Sequence, residues 1–212
     1  MKIKFILILL LVFPALIYAE ELKPINLLAP NTKGGKPLMQ ALKERKSQRE
    51  FTSKDLPLQV LSDLLWAANG INRPDIAHHT APSARNMQEI DIYVVKSDGA
   101  YLYDAGANKL VPVVPGDLRA LTGTQPFVKD APINLVYVAD FSKMKQSSIE
   151  DMVFYSATDT GFISQNVYLY CASVGLSTVV RGLIDKMALA EAMKLRKDQK
   201  IILSQTVGYP KK

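Results

Sequence analysis

Cysteine occurs once in the 212 residues, as Cys171. No disulfide can form within the chain, so the fold has to rest on buried apolar area. Histidine occurs twice, as the adjacent His78 and His79, and no third histidine is there to complete a ligand cluster, so no metal site is expected. Basic residues exceed acidic ones by six. They are dispersed, with no long basic run, which argues against nucleic acid and is compatible with a small anionic ligand. A Gly-x-Gly-x-x-Gly turn is missing, so the dinucleotide signature of a Rossmann fold is excluded. Internal repeats, low-complexity tracts and a second-domain linker are also missing. No nucleophile stands beside an evident base, so no side chain is assigned as catalytic.

The N-terminus has the pattern of an export signal. Lys2 and Lys4 make a positive start, residues 5–17 are nearly all apolar with Pro14 among them, and Ile17-Tyr18-Ala19 ends in a small residue. The stretch is too short and wrongly flanked for a stable membrane span. Cleavage near Ala19 is therefore expected, with a periplasmic or secreted product; an uncleaved anchor is the alternative. No cysteine follows the apolar run, so a lipid anchor is not indicated.

After the signal at 1–19, residues 20–36 are polar and turn-rich and read as an arm, and residues 37–212 read as one domain. Pro37 suits the first turn of a helix through Leu38, Leu42 and Arg45. Val60, Leu61, Leu64, Leu65 and Ala68 recur at helical spacing and stop at Gly70. A long polar loop is expected over 71–89, then strands at 90–96, 100–104 and 109–114, with Ser97-Asp98-Gly99 as a hairpin turn. A short helix at 116–122 and a buried strand at 131–139 follow. The longest helix should run over 147–174 and end at Gly175. Its small residues Ser156, Thr160 and Ser164, with Ala157 and Gly161, would let another helix approach closely. Burial within the monomer and the centre of a homodimer suit that pattern equally. Cys171 on this helix reads as a small buried hydrophobe. A strand at 177–180, a short helix at 186–195 and a strand at 200–207 complete a layered α+β or α/β domain.

Two polar clusters carry the chemistry. In Arg45-Lys46-Ser47-Gln48-Arg49, two arginines flank a serine at alternate positions. Guanidinium forks bind phosphate oxygens with charge-assisted bonds and the hydroxyl adds a donor. The same residues at a helix end are by themselves ordinary dipole partners. The second cluster is Pro82-Ser83-Ala84-Arg85-Asn86-Met87-Gln88, leading directly into a strand-like run. Its amide and hydroxyl groups could read the edge of a heterocycle. Together they are expected to converge on a nucleotide-like cofactor.

In this order, with Gln165-Asn166, Gly175-Leu176-Ser177-Thr178 and a closing Val207-Gly208-Tyr209-Pro210, the motifs resemble those of the nitroreductase family of flavin enzymes, over about residues 37–210. Arg45, Ser47 and Arg49 match its first signature, and Pro82, Ser83, Asn86 and Gln88 its second. Within the family the chain is similar to the short subgroup that includes thiazoline/oxazoline oxidases. The resemblance implies an α+β three-layer sandwich, a central mixed or antiparallel sheet flanked by helices, and a homodimer with FMN at each of two interface sites. Arg45 and Ser47 would hold the phosphate and Arg49 the flavin N1/O2 edge, where positive charge favours the reduced anion. Pro82, Ser83, Ala84 and Asn86 would come from the other subunit. Gln125 would add a polar contact, and Val180, Arg181 and Gly182 would lie beside the ring with Val179.

The implied activity is hydride transfer through flavin N5, from NAD(P)H or another donor to a small organic acceptor such as a nitro compound or quinone. A non-catalytic flavin-binding protein and an azoline-type dehydrogenase are the alternatives. Two departures stand out. Only Lys211 and Lys212 follow Pro210, where relatives place a further phosphate ligand, and Glu89-Ile90 stands where many have Pro-Trp, at the expected substrate face.

Overall fold

The computed structural model describes residues 21–211; the export signal expected at 1–19 lies outside them. The arm contributes β1 (Ile25–Asn26). Next come α1 (Leu38–Glu44) and α2 (Leu58–Asn69), each with a proline at the N-cap, Pro37 and Pro57. The stretch expected to be loop contains a small hairpin, β2 (Ile71–Arg73) and β3 (His78–His79), and a 3-10 turn at Ala84–Asn86. Strands β4 (Ile90–Val95), β5 (Gly99–Asp104) and β6 (Lys109–Pro115) form a meander. The short helix expected at 116–122 is a 3-10 turn at Arg119–Thr122. Then follow β7 (Ile133–Asp140), α3 (Ile149–Val174), β8 (Ser177–Arg181), α4 (Lys186–Ala192) and β9 (Gln199–Gly208).

Seven strands make one sheet in the order β1-β6-β5-β4-β7-β9-β8. Each neighbouring pair is antiparallel, so the sheet expected to be mixed or antiparallel is antiparallel among the described residues. The arm is part of it, because β1 pairs with β6 and Leu27 N–H donates to Asn108 O at 3.0 Å. The central strand β7 is buried along its whole length. Its alternation divides the core. Ile133, Leu135, Tyr137 and Ala139 pack with Leu61, Leu64 and Leu65 of α2 and Ile163, Val167 and Cys171 of α3. Val136 and Val138 pack on the opposite face with Leu189 and Met193 around α4. Helices therefore cover both faces, and the three-layer α+β sandwich stands.

Helix α3 is the spine of the site. Its N-cap Ser148 accepts from Asp151 N–H at 3.0 Å, and Glu150 and Asp151 complement the helix dipole. Gly175 ends it at φ 78°, a left-handed conformation that costs glycine little. The small residues expected on one face separate. Ser156, Thr160 and Ser164 are buried within the chain, whereas Ala157 and Gly161 are exposed beside Val153, Phe154 and Phe162. The first set lets α3 lie close to its own core: Ser156 Oγ is 3.4 Å from Met144 Sδ, and Gln205 Nε2 donates to Ser164 O at 3.4 Å.

Cys171 is fully buried, and burial pushes its thiol well above the ordinary range. The thiolate is the reactive form. A maleimide reagent should thus leave the native protein unlabelled and label it after unfolding. Stoichiometric labelling of the native protein, read by mass spectrometry, would contradict this.

Candidate functional site

The chain leaves α1 at Arg45 in an extended conformation (φ −55°, ψ 123°). Gln48 N–H then donates to Thr178 O at 3.0 Å, which docks the segment against β8. Tyr168 of α3 organises what lies between. The Arg45 guanidinium carbon sits 5.1 Å from its ring centroid, a cation–π distance. Its hydroxyl is 2.8 Å from Ser47 Oγ and accepts from Val180 N–H at 2.9 Å. Arg45, Ser47 and Val180 are thus gathered around one phenol. Arg45 is half-buried, and Ser47 and Arg49 are exposed. Among the described residues neither arginine has a carboxylate at ion-pair distance. Two uncompensated guanidinium groups flanking a hydroxyl suit a phosphate.

The second cluster is a tight turn. Asn86 N–H donates to Ser83 O at 3.0 Å, and Gln88 N–H to Ser83 Oγ at 3.0 Å. Gln88 Nε2 donates to Asn86 Oδ1 at 3.1 Å. Arg85, Asn86 and Gln88 have φ of 53°, 54° and 50°, each a left-handed conformation costing a non-glycine residue about 1–2 kcal/mol. An anchor holds the turn in place: Ala84 N–H donates to Asp159 Oδ2 on α3 at 2.9 Å. Pro82 and Asn86 are exposed, and Ser83 and Ala84 half-buried.

The two clusters do not meet within one chain. One is tied to Tyr168 and the other to Asp159, nine residues apart on α3, or about 13 Å along the helix axis. The convergence expected from sequence is therefore not formed by direct contact within one chain; the resemblance assigns the second cluster to the other subunit.

Arg181 goes elsewhere. Thr178 faces α3 through Gln205, whose Nε2 donates to Thr178 Oγ1 at 3.0 Å and to Ser164 O. Arg181, out of phase with Thr178, turns to the opposite face of β8. There Nη1 donates to Thr122 O at 2.7 Å and Nη2 to Asn134 Oδ1 at 2.9 Å. It is 5% exposed and burial lowers its pKa to about 10, so the charge persists at neutral pH. Gln125 lies on this side too, its Oε1 buried without a partner. A β-carbon at Gly123 would collide with Arg181 Nη1, so glycine is required for that close approach. Of the residues expected beside the ring, Val180 is the one whose N–H is placed at Tyr168.

Glu89 and Ile90 are 0% and 5% exposed. In the single chain they line the interior and do not form an open face. Both Glu89 carboxyl oxygens lack a partner. Burial first, then the neighbouring Asp159, raises its pKa from the ordinary 4.5 to about 7. Lys211 N–H donates to Glu50 O at 3.4 Å, which brings Lys211 next to the end of the first cluster; Lys212 lies outside the described residues.

The sequence model of the nitroreductase family matches residues 42–209, which contain both clusters and the whole of α3. The chain belongs to the nitroreductase family. A nitroreductase-like protein of Methanocaldococcus jannaschii is 30% identical over 169 residues, 75% of this chain and 85% of its own length. The crystal structure of a nitroreductase-like protein from Ralstonia eutropha JMP134 superposes with a TM-score of 0.86 at 43% identity, covering 94% of both chains. A Desulfovibrio desulfuricans protein of this kind, solved in complex with FMN, shares the fold at a TM-score of 0.61 and 21% identity, over 84% of this chain and 88% of its own. The nitroreductase-type sandwich expected from the motifs is therefore the fold, and the chain falls in an oxidoreductase family.

Two residues that organise the candidate site escape a reading by motif. Tyr168 looks like one more apolar position of α3. Asp159 carries a better signal, because a charge in register with the inward stripe Ser156, Ile163 and Val167 is costly unless it has a partner.

Proposed function

We propose that the protein is an exported, homodimeric, FMN-dependent oxidoreductase that passes hydride from NAD(P)H or another donor to a small organic acceptor such as a nitro compound or quinone. The observation that carries this reading is the pair Arg45 and Arg49, without an ion-pair partner among the described residues, with Ser47 tied through Tyr168 to Val180 N–H. This donor set fits a flavin phosphate. Bound FMN would supply the redox chemistry at N5, and the protein would supply position and charge. Arg45 and Ser47 bind the phosphate. Arg49 adds positive charge at the edge that becomes anionic on reduction. Tyr168 fixes Ser47 and the Val180 backbone in one orientation. Pro82, Ser83, Ala84 and Asn86 cover the partner's flavin.

The exposed apolar side chains support the dimer. Phe154 is 63% and Ile149 71% exposed on α3, with Leu38 and Met39 exposed on α1; such a surface on a monomer is a candidate interface. No helix of the described residues is long and apolar enough to cross a membrane. Export rests on Lys2, Lys4 and the apolar run to Ala19. It leaves the donor open, because nicotinamide cofactors are cytoplasmic.

The purified protein is expected to carry non-covalent FMN and to show a flavin absorbance band. Heat-released ligand should run as FMN on chromatography, and candidate donors should bleach the band anaerobically. FAD, or no flavin after incubation with excess FMN, would overturn the reading. Bound FMN that no donor reduces would favour a non-catalytic flavin-binding protein.

A further inference from the structure

We propose that Glu89 is a positioning residue: it keeps its proton in the native fold, donates it to Asp159, and through Asp159 holds the Ala84 turn in the shape that covers a flavin. The proposal deepens the function above, since the turn matters to catalysis only if a flavin lies beneath it.

Three observations meet here. Glu89 is completely buried, and among the described residues no hydrogen bond of good geometry reaches either of its carboxyl oxygens; its own backbone N–H and the charge of Lys143 favour the anion, but burial outweighs them. An ionised carboxylate without donors in such a place is strongly disfavoured. Asp159 lies against it, itself only 2% exposed, and already accepts Ala84 N–H at 2.9 Å. One proton between the two acids resolves both problems. The Glu89 hydroxyl gains an acceptor, and the Asp159 side chain accepts from Glu89 on one side and from Ala84 N–H on the other.

The surrounding charges do not supply another solution. Lys143, after β7, donates to Gln88 O at 3.2 Å and pairs with Asp91 of β4 at 2.7 Å. Asp140 at the end of β7 pairs with Arg196. Arg85 of the turn points outward over the Tyr155 ring at 5.8 Å. His79 of β3 has its Nδ1 engaged at Asn69 O. None of these donates to Glu89. The backbone ties the acid to the same structure, since Asp140 N–H donates to Glu89 O at 2.9 Å.

The direction with pH follows. Folding favours the protonated acid, so its contribution is complete below the ordinary value of 4.5 and is lost as pH rises towards about 7. Above that, two carboxylates face one another behind the turn and the Ala84 anchor loosens.

The test measures FMN dissociation constants of wild type and Glu89→Gln across pH, with hydrogen exchange of the Ala84 amide in flavin-free wild type. Glutamine keeps a donor for Asp159 but cannot ionise. Wild-type affinity should fall about tenfold as pH passes the acid's midpoint, the size of a one-unit coupling, while Glu89→Gln should hold the acid-side affinity throughout. The phosphate of FMN itself titrates near this range, and the variant's own slope corrects for it. The Ala84 protection factor should drop in the same interval. Equal slopes in the two proteins, or a protection factor that does not change, would overturn the proposal. Should Glu89→Gln fail to fold, the wild-type protection factor alone decides. It needs no flavin, so failure to bind FMN at any pH would count against the proposed function and leave the acid pair to be judged on exchange.

Discussion

Gly161→Leu is expected to leave each chain folded and to abolish dimerisation and FMN retention together. Within one chain a β-carbon at Gly161 meets nothing within 4 Å, and the residue is exposed on α3. Leucine there breaks no intrachain contact, and in a helix it is preferred over glycine by up to about 1 kcal/mol. The position lies next to the exposed Phe162, and its neighbour one turn earlier is Ala157, the surface through which a second α3 would approach. Overpacking a close helix contact costs about 1–3 kcal/mol on each side, and the two-fold symmetry of a dimer applies it twice. A ligand that needs both chains is then lost with the dimer by linkage. The melting temperature of the isolated chain should be unchanged or higher, which separates this outcome from misfolding. Sedimentation with simultaneous protein and flavin detection reads the result. A monomer that keeps full flavin occupancy would place both clusters on one intrachain ligand, against their separation along α3.

Arg45→Ala should weaken FMN binding about tenfold to more than a hundredfold, and Lys46→Ala should change it little. Arg45 is half-buried over Tyr168 and, among the described residues, has no carboxylate at ion-pair distance. Loss of one charge-assisted phosphate bond corresponds to about 1.5–3 kcal/mol. Lys46 is exposed, on the other side of an extended segment whose Gln48 N–H is spent on Thr178 O. Tyr168→Phe tests the geometry behind the charge. It keeps the ring under Arg45 but removes the hydroxyl that joins Ser47 to Val180 N–H, so an intermediate loss is expected. Flavin-fluorescence titration distinguishes the three. Equal affinities for wild type and Arg45→Ala would remove the phosphate clamp from the proposal.

Much of the fold was legible because periodicity reports burial directly. The stripe Leu61, Leu64, Leu65 and Ala68 set α2, and the apolar run at β7 announced a strand covered on both faces. Glycine at 175 marked the end of α3 because few other residues accept φ 78°. Pairings between distant segments left no such trace. The arm's two-residue strand β1 is made by its register with β6, and Ile25-Asn26 is too short to carry an alternation of its own. The hairpin within 71–89 is likewise a product of docking on α2, where Thr80 N–H donates to Gly70 O at 2.8 Å.

The site divides along the same line. Sequence by itself determined which residue types were at hand: two arginines about a serine, an amide-rich turn before a strand, no metal cluster among histidines and cysteines, and the motif order of a nitroreductase. Those are properties of neighbouring residues and survive in the unfolded chain. The tertiary structure alone decided where each group points. It put Tyr168 between Ser47 and Val180, sent the Arg181 guanidinium through β8 to Asn134, and divided the small residues of α3 between its own core and an exposed face. It also showed Glu89, expected at the substrate face, to be a buried acid against Asp159. The reason is physical. A side chain's direction depends on the phase of its helix or strand relative to the layers packed on it, and its charge state on what burial leaves for a partner; both are fixed only when distant segments meet.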